Sequence, residues 1–375
     1  MKKKILICGG HPAPALATIE YLQTKNTYEV VYVGKKHQLP GDTNLSWEYQ
    51  QIQKLGLPFY NLSTGKLQRN FTLNSITHLF RIPFGLAKAL FLIKKIKPDI
   101  VVSFGGYLAV PLVFWAKMWG IPTLTHEQTL KVGLANKIMG KFVDTFCVSW
   151  KETLSQISHK HLILTGNPLR SDIAKGLQPL LIDGDLQKTP IVYITGGSLG
   201  SHFINTLLKD IAKTLLTDFI LIHQAGATSE YNDYNELNNI RDSLPKYLQE
   251  RYFLYKYIEA GELGWTLKHA VLVVGRAGAN TITEILFCHT PAILIPLPYS
   301  GQDEQKENAL TLSRLGVAKV LDQSSLTAEK LLYTIRLVYK NRYAYLKNFT
   351  PNVDGLVNLP SASLIVQEIE KLLLK

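Results

Sequence analysis

Cysteine is scarce in this 375-residue chain: there are three, Cys8, Cys147 and Cys288, far apart and in apolar or glycine-rich surroundings. An odd, scattered set offers no disulfide framework and no zinc-ligand spacing, and it fits a reducing compartment. Acidic residues are also under-represented, 29 Asp plus Glu against 41 Lys plus Arg, for a formal charge of +12. That imbalance favours an anionic partner and leaves phosphate, acidic lipid and nucleic acid open. No basic motif interleaved with aromatics is present, so nucleic acid is not expected. Long uncharged apolar runs are missing as well. Three lysines at positions 2 to 4 lead into ILICGG, too short for a signal-peptide core, and nothing elsewhere reaches spanning length. Membrane association is therefore expected to be peripheral.

What the chain has is alternation. Short β-branched runs, KILIC, EVVYVG, IVVSF, PTLTHE and TFCVSW, are separated by helical patterns such as PALATIEYLQ. This rhythm predicts a parallel sheet wrapped by helices. It pauses between Arg170 and Pro190 and resumes with IVYIT, FILIHQAG, FLYKYI, VLVVG and AILIPL. The pattern predicts two α/β domains, 1–165 and 166–358. The helical segment 359–375 has no strand before it and is expected to pack back on the first.

Three strand-to-helix junctions are rich in glycine, where ligands of open α/β sheets bind. Cys8-Gly9-Gly10-His11 leads through Pro12 into a helix whose first amides can face an anion, although glycines there are also what a tight turn needs. Gly196-Gly197-Ser198-Leu199-Gly200-Ser201 has neither the Gly-Lys-Ser/Thr ending of a P-loop nor the dinucleotide spacing GxGxxG,. It can hold a diphosphate through amides and the Ser198 hydroxyl. Gly275-Arg276-Ala277-Gly278 precedes Glu284, which suits a ribose and equally suits the dipole of the helix it begins. His126 and Glu127, adjacent on a predicted strand, should point to opposite faces. His223 and Gln224 read as loop anchors.

In order and spacing these pieces resemble the MurG family of bacterial transferases, which add N-acetylglucosamine to lipid I to make lipid II. The resemblance runs over nearly the whole chain. Its most specific parts are GGH-x-x-PALA from Gly9, PDIVVSFGGY from Pro98, GIPTLTHEQ from Gly120, GNPLR from Gly166, GGSLGS from Gly196, RAGANTITE from Arg276 and QKENA from Gln305. It implies the GT-B architecture, two Rossmann-like domains facing across a cleft, with the second holding UDP-GlcNAc. It also implies donor contacts from Arg170 and Ser198 to the diphosphate, from Glu284 to the ribose and from Gln305 and Asn308 to the sugar. Ile258 would meet the uracil, the run Ala279, Asn280, Thr281, Ile282 and Thr283 would line the donor, and Thr129 would adjoin it. Gly9, Gly10, His11, Gly105, Gly106 and Tyr107 would face the acceptor, with His11 as candidate base or, alternatively, only a hydrogen-bond partner of the acceptor phosphate.

The implied reaction is an inverting displacement by the muramyl C4 hydroxyl, with helix-start amides, Ser198 and Arg170 carrying the leaving-group charge and no metal or other cofactor needed. Implied partners are UDP-GlcNAc, lipid I and an anionic membrane on the cytoplasmic face. Ile76, Leu79, Phe80 and Phe84, interleaved with Arg81 and Lys88, and Trp115 and Trp119 around Lys117 are candidates for that surface, although core packing also explains apolar residues there. The sequence departs from the family pattern twice. Its first glycine loop is shorter than GGTGGH, and Thr129 stands where the family has asparagine. A UDP-GlcNAc 2-epimerase and another glycolipid-forming transferase are the alternatives of similar fold.

Overall fold

The computed structural model describes residues 2–37, 45–64, 73–177, 189–226, 231–299, 303–349 and 360–374, without the side chains of 73–81. The chain divides into two compact units, Met1–Arg170 with Leu359–Lys375, and Ser171–Asn358.

In the first unit seven strands form a wholly parallel sheet: β1 (Lys3–Cys8), β2 (Tyr28–Gly34), β3 (Phe59–Asn61), β4 (Ile100–Ser103), β5 (Thr123–Glu127), β6 (Thr145–Val148) and β7 (Leu162–Leu164). Their order is β3-β2-β1-β4-β5-β6-β7. Helices cover both faces, so the strands are apolar on both sides and read as continuous hydrophobic runs. Ile5 and Ile7 of β1 pack on one face with Leu16, Ile19, Ile365 and Ile369. Leu6 and Cys8 face the other, with Leu92, Ile93, Leu112 and Val113. The C-terminal helix Ser361–Leu373 belongs to this unit: Lys25 and Tyr28 meet Glu370 at 2.6 and 2.9 Å, and Tyr21 meets Ser363 at 3.0 Å.

The second unit repeats the plan with β8 (Ile191–Thr195), β9 (Ile220–Gln224), β10 (Tyr252–Tyr255), β11 (Ala270–Gly275), β12 (Ala292–Leu294) and β13 (Ala318–Val320), in the order β10-β9-β8-β11-β12-β13. Ile194, Leu272 and Val274 pack against Leu208, Ile211 and Leu215 of helix His202–Asp218 and against Leu331 and Ile335 of helix Ala328–Lys340.

The division falls after Arg170 and not before Gly166, because the intervening segment is tied to the first unit. The Gly166 carbonyl lies 3.1 Å from His126 Nε2, and the Arg170 guanidinium lies 5.5 Å from the centroid of the Trp47 ring. In each sheet the strand order reverses direction once, between β1 and β4 and between β8 and β11. Both pairs end level, Cys8 beside Ser103 and Thr195 beside Gly275. The loops that follow them therefore diverge from one point, where open α/β sheets bind ligands.

Candidate active site

At the first switch point two glycine loops touch backbone to backbone. Gly10 N donates to Gly105 O at 2.9 Å, and Gly105 N donates to Ser103 Oγ at 3.1 Å. Gly106 has φ +79°, and a Cβ there would lie 2.7 Å from Gly10 N; one on Gly9 would lie 2.8 Å from the Phe104 backbone. Glycine is therefore needed for this approach and not for a turn alone. The loop runs through His11 into helix Pro12–Lys25, whose N-terminus no side chain caps. Pro12 and Pro14 carry no N–H, so among its first three positions only Ala13 has an amide for solvent or an anion,. Tyr107 lies beneath the Lys35 ammonium, 5.1 Å from the ring centroid. The structure thus gathers Gly9, Gly10, His11, Gly105 and Gly106 at one point, with Tyr107 beside them.

His11 is partly buried, and its Nδ1 is 2.7 Å from the side-chain amide of Gln128. Burial pushes the imidazole below its ordinary pKa, and the charge of Glu127 opposes that shift,. Gln128, to which the sequence reading gives no role, is thus in direct contact with the candidate base.

His126 and Glu127 do point oppositely. His126 is buried between Gly166 O and Ser149 Oγ, and burial lowers its pKa to about 4. The Glu127 carboxylate accepts from Thr129 N (3.0 Å), Gly133 N (2.8 Å) and Asn136 Nδ2 (2.9 Å). It is a loop clamp, and Thr129 is part of it. The Thr129 hydroxyl sits 2.7 Å from Glu127 Oε1 and 2.6 Å from Lys131 O, and the residue is buried. Its one hydroxyl proton lies between these two internal acceptors, so Thr129 helps to hold this loop,. Asn136, absent from the sequence reading, completes the clamp through Thr125 Oγ1 at 2.9 Å.

At the second switch point the Gly196–Ser201 loop is again set by backbone proximity. A Cβ on Gly200 (φ +83°) would lie 2.0 Å from Ala225 O. Gln224 donates to Gly197 O at 2.9 Å while its Oε1 accepts from Ile258 N at 2.9 Å, which joins the glycine loop to the Ile258 segment. Ser198 is exposed on the loop. Ser201 caps helix His202–Asp218 and accepts two bonds from Arg276, at 2.8 and 3.2 Å. Arg276 also donates to Ile295 O, and burial lowers its pKa to about 10. This buried guanidinium locks the β8 and β11 loops together. His223 is an anchor, fully buried between Tyr252 and Asn205.

The helix Ala279–Cys288 divides the expected donor residues between two faces. Ala279, Ile282 and Thr283 are buried, and Thr283 Oγ1 donates to Ala279 O. Only Asn280, Thr281 and Glu284 present partly exposed side chains. Asn308 is fully buried and donates to Ala277 O at 2.9 Å, so its amide supports the β11 loop and does not line an open surface. Gln305 holds Leu297 N at 3.0 Å. The structure brings Ser198, Ile258, Ala279–Glu284, Gln305 and Asn308 around one sheet end. It places Arg170 in the first unit, against Trp47.

Comparison with known proteins accords with this layout. The family models for the N-terminal and C-terminal domains of glycosyltransferase family 28 match residues 8–148 and 191–354. A Clostridium tetani protein named UDP-N-acetylglucosamine--N-acetylmuramyl-(pentapeptide) pyrophosphoryl-undecaprenol N-acetylglucosamine transferase is 34% identical over 371 residues, 96% of this chain and 98% of that one. Among solved structures, Acinetobacter baumannii MurG aligns over 98% of this chain and 99% of its own, at 23% identity and a TM-score of 0.69. A Neisseria meningitidis UDP-GlcNAc 2-epimerase bound to UDP-GlcNAc aligns over 98% and 100%, at 15% identity and a TM-score of 0.66. At such identities the two structures speak for the fold alone. By its matched domains and its full-length relatives, this chain is a member of glycosyltransferase family 28, a sugar-transferring enzyme of the two-domain GT-B fold.

Proposed function

We propose that the enzyme transfers N-acetylglucosamine from UDP-GlcNAc, with inversion, to the C4 hydroxyl of lipid I, an N-acetylmuramyl peptide carried on undecaprenyl diphosphate, and so forms the lipid II used for peptidoglycan. The observation that carries this reading is the end-to-end similarity to a relative named for that transfer. The site geometry supports a division of labour. In the second unit, Ser198 and the helix start at Ala279–Thr283 meet the donor diphosphate. Glu284 accepts from the ribose, the Ile258 backbone meets the uracil, and Gln305 reads the sugar, with Asn308 holding the loop beneath. As UDP leaves, negative charge grows on the diphosphate, and fixed amide donors stabilise it without reorganisation. In the first unit the paired glycine loops receive the acceptor diphosphate, and His11 removes the C4 hydroxyl proton.

The acceptor is lipid-borne, so a membrane surface is part of the proposal. Phe84, Phe91 and Met118 are 78%, 61% and 63% exposed. Lys94 lies over the exposed Trp119 ring at 5.4 Å, and Lys88 and Lys95 are exposed nearby. Apolar groups among cations suit insertion at the anionic, cytoplasmic face of a bilayer. Trp115 serves the fold instead, half-buried with its indole N–H on Leu86 O. Ile76, Leu79, Phe80 and Arg81 have side chains outside the described residues. No helix among the described residues is long and apolar enough to cross a membrane.

The test is transfer of radiolabelled GlcNAc from UDP-GlcNAc to lipid I, with UDP-GlcNAc alone as the control. Lipid-dependent incorporation is expected, and conversion of the donor to its 2-epimer without lipid would replace the reading with an isomerase. His11→Ala should abolish turnover and leave UDP-GlcNAc binding intact, whereas near-normal turnover would remove His11 from the chemistry.

A further inference from the structure

The side-chain amide of Gln128 is buried and has one polar partner among the described residues, His11 Nδ1 at 2.7 Å. The far end of the amide, Oε1, is buried with no partner among the described residues. Oxygen and nitrogen of an amide, and the two neutral tautomers of an imidazole, are told apart by hydrogen-bond logic and not by heavy-atom positions. The contact therefore has two chemical versions. If the amide nitrogen faces the ring, it donates to the Nδ1 lone pair and the imidazole proton sits on Nε2. If the amide oxygen faces the ring, it accepts from Nδ1–H and Nε2 carries the lone pair.

The reaction chooses between them. A base acting through Nε2 takes the hydroxyl proton and becomes imidazolium, in which both nitrogens are donors. An amide N–H facing Nδ1–H would then be repulsive, and an amide oxygen would be the partner the ring requires. Among the described residues no other acceptor contacts the ring. The Glu127 carboxylate is already held by Thr129, Gly133 and Asn136 and acts on His11 only through its charge. His126, the other titratable group near the ring, is a buried neutral imidazole turned toward Gly166 and Ser149. The Gly105 backbone lies along the Cδ2 edge, where a Cβ would stand 3.4 Å away, and Nδ1 faces Gln128.

We infer that Gln128 is the positioning residue of the transfer: its Oε1 accepts from His11 Nδ1–H and keeps Nε2 unprotonated toward the acceptor hydroxyl. The inference rests on His11 being the base. In the step it serves, the hydroxyl proton passes to Nε2, the oxygen bonds to the anomeric carbon, and the bond to UDP breaks with its electron pair leaving on the diphosphate. Gln128 plays the part that a buried carboxylate plays behind the histidine of a hydrolase triad, with a neutral group.

The experiment combines two variants with a direct reading of the tautomer. Gln128→Leu keeps the volume and removes the acceptor; kcat should fall at least about tenfold, as for other losses of general-base function, with KM for UDP-GlcNAc unchanged. Gln128→Glu can only accept. It should turn over faster than the leucine variant, and the acid limb of its kcat profile should move to higher pH because a carboxylate favours the imidazolium. In wild-type protein carrying 15N-histidine and bound to lipid I, the His11 signals should show the proton on Nδ1. A proton on Nε2, or a glutamate variant no better than the leucine one, would overturn the inference, and the wild-type spectrum decides the matter if a variant fails to fold. An inactive His11→Ala beside a fully active Gln128→Leu would sink the role of Gln128 alone, whereas an active His11→Ala would sink the base itself.

Discussion

Two histidines, His126 and His223, are buried in the neutral form, with pKa values lowered to about 4 and about 3 by loss of solvent. In the unfolded chain each titrates near 6.5. Their contribution to stability is complete above pH 6.5. It is lost as the pH falls toward the folded values, because the unfolded chain takes up a proton that the native ring refuses. The slope is about 1.4 kcal/mol per pH unit for each. His126 shares its unit with Glu48, whose pKa is raised by burial to about 7 and whose linkage has the opposite sign over much of the same range. The second unit gives the cleaner reading. Its unfolding free energy should drop by roughly 2 kcal/mol between pH 6.5 and 5 from His223 alone, and His223→Asn should flatten that dependence. Denaturant titrations across this range check it, and parallel curves for the two proteins would refute it.

The glycine loops are the elements that set the switch point of each unit, and what constrains them is proximity more than flexibility. Gly106 and Gly120 both have positive φ, +79° and +68°, yet a Cβ at Gly120 meets nothing within 4 Å and one at Gly106 meets Gly10 N at 2.7 Å. Gly120→Ala should therefore cost only the backbone penalty, about 1–2 kcal/mol, and preserve transfer. Gly106→Ala carries the same penalty and also drives the β4 loop off the β1 loop, displacing His11. It should lose transfer by about a hundredfold or more, in line with the cost of a 1 Å misplacement. Steady-state rates and melting curves of the pair separate strain from displacement, and equal losses in both would show that only φ matters.

Across the whole molecule, the two units have separate cores, and the chain closes the first with its last helix. Ile365, Val366, Ile369 and Leu372 are buried against β1 and helix Pro12–Lys25. Each buried side chain of this kind contributes about 1.5–3 kcal/mol, so together they match the stability of a typical domain. A chain ending before Ser361 should lose the first unit and keep the second. Limited proteolysis with mass spectrometry should then find residues 1–170 degraded and 171–358 resistant, and a protected N-terminal half would contradict this. The net charge of +12 and the exposed Phe84 and Trp119 act at the same scale. Binding to anionic vesicles is expected to weaken with salt and with the pair Phe84→Ser and Trp119→Ser; unchanged binding would move the membrane surface elsewhere.

The sequence by itself determined the alternating α/β plan, the ten strands that carry an apolar run and the glycine-rich junctions, because buried parallel strands are nearly all apolar and turns of positive φ demand glycine. The short strands Phe59–Asn61, Leu162–Leu164 and Ala318–Val320 were not legible, since three residues carry no usable period and, unlike Ala292–Leu294 in AILIPL, these have no longer apolar run to announce them,. Motif spacing located the switch-point loops but not which side chains within them face a ligand. Thr129 and Asn308 lie in recognisable motifs, yet the hydroxyl of one donates within the Glu127 clamp and the amide of the other is buried beneath the β11 loop. Gln128 lies in the GIPTLTHEQ motif, but its role was not legible there, for its meaning depends on a partner 117 positions away. Contacts of that kind, and the orientation of an amide within them, are settled only when strand order places β1 and β5 on either side of β4.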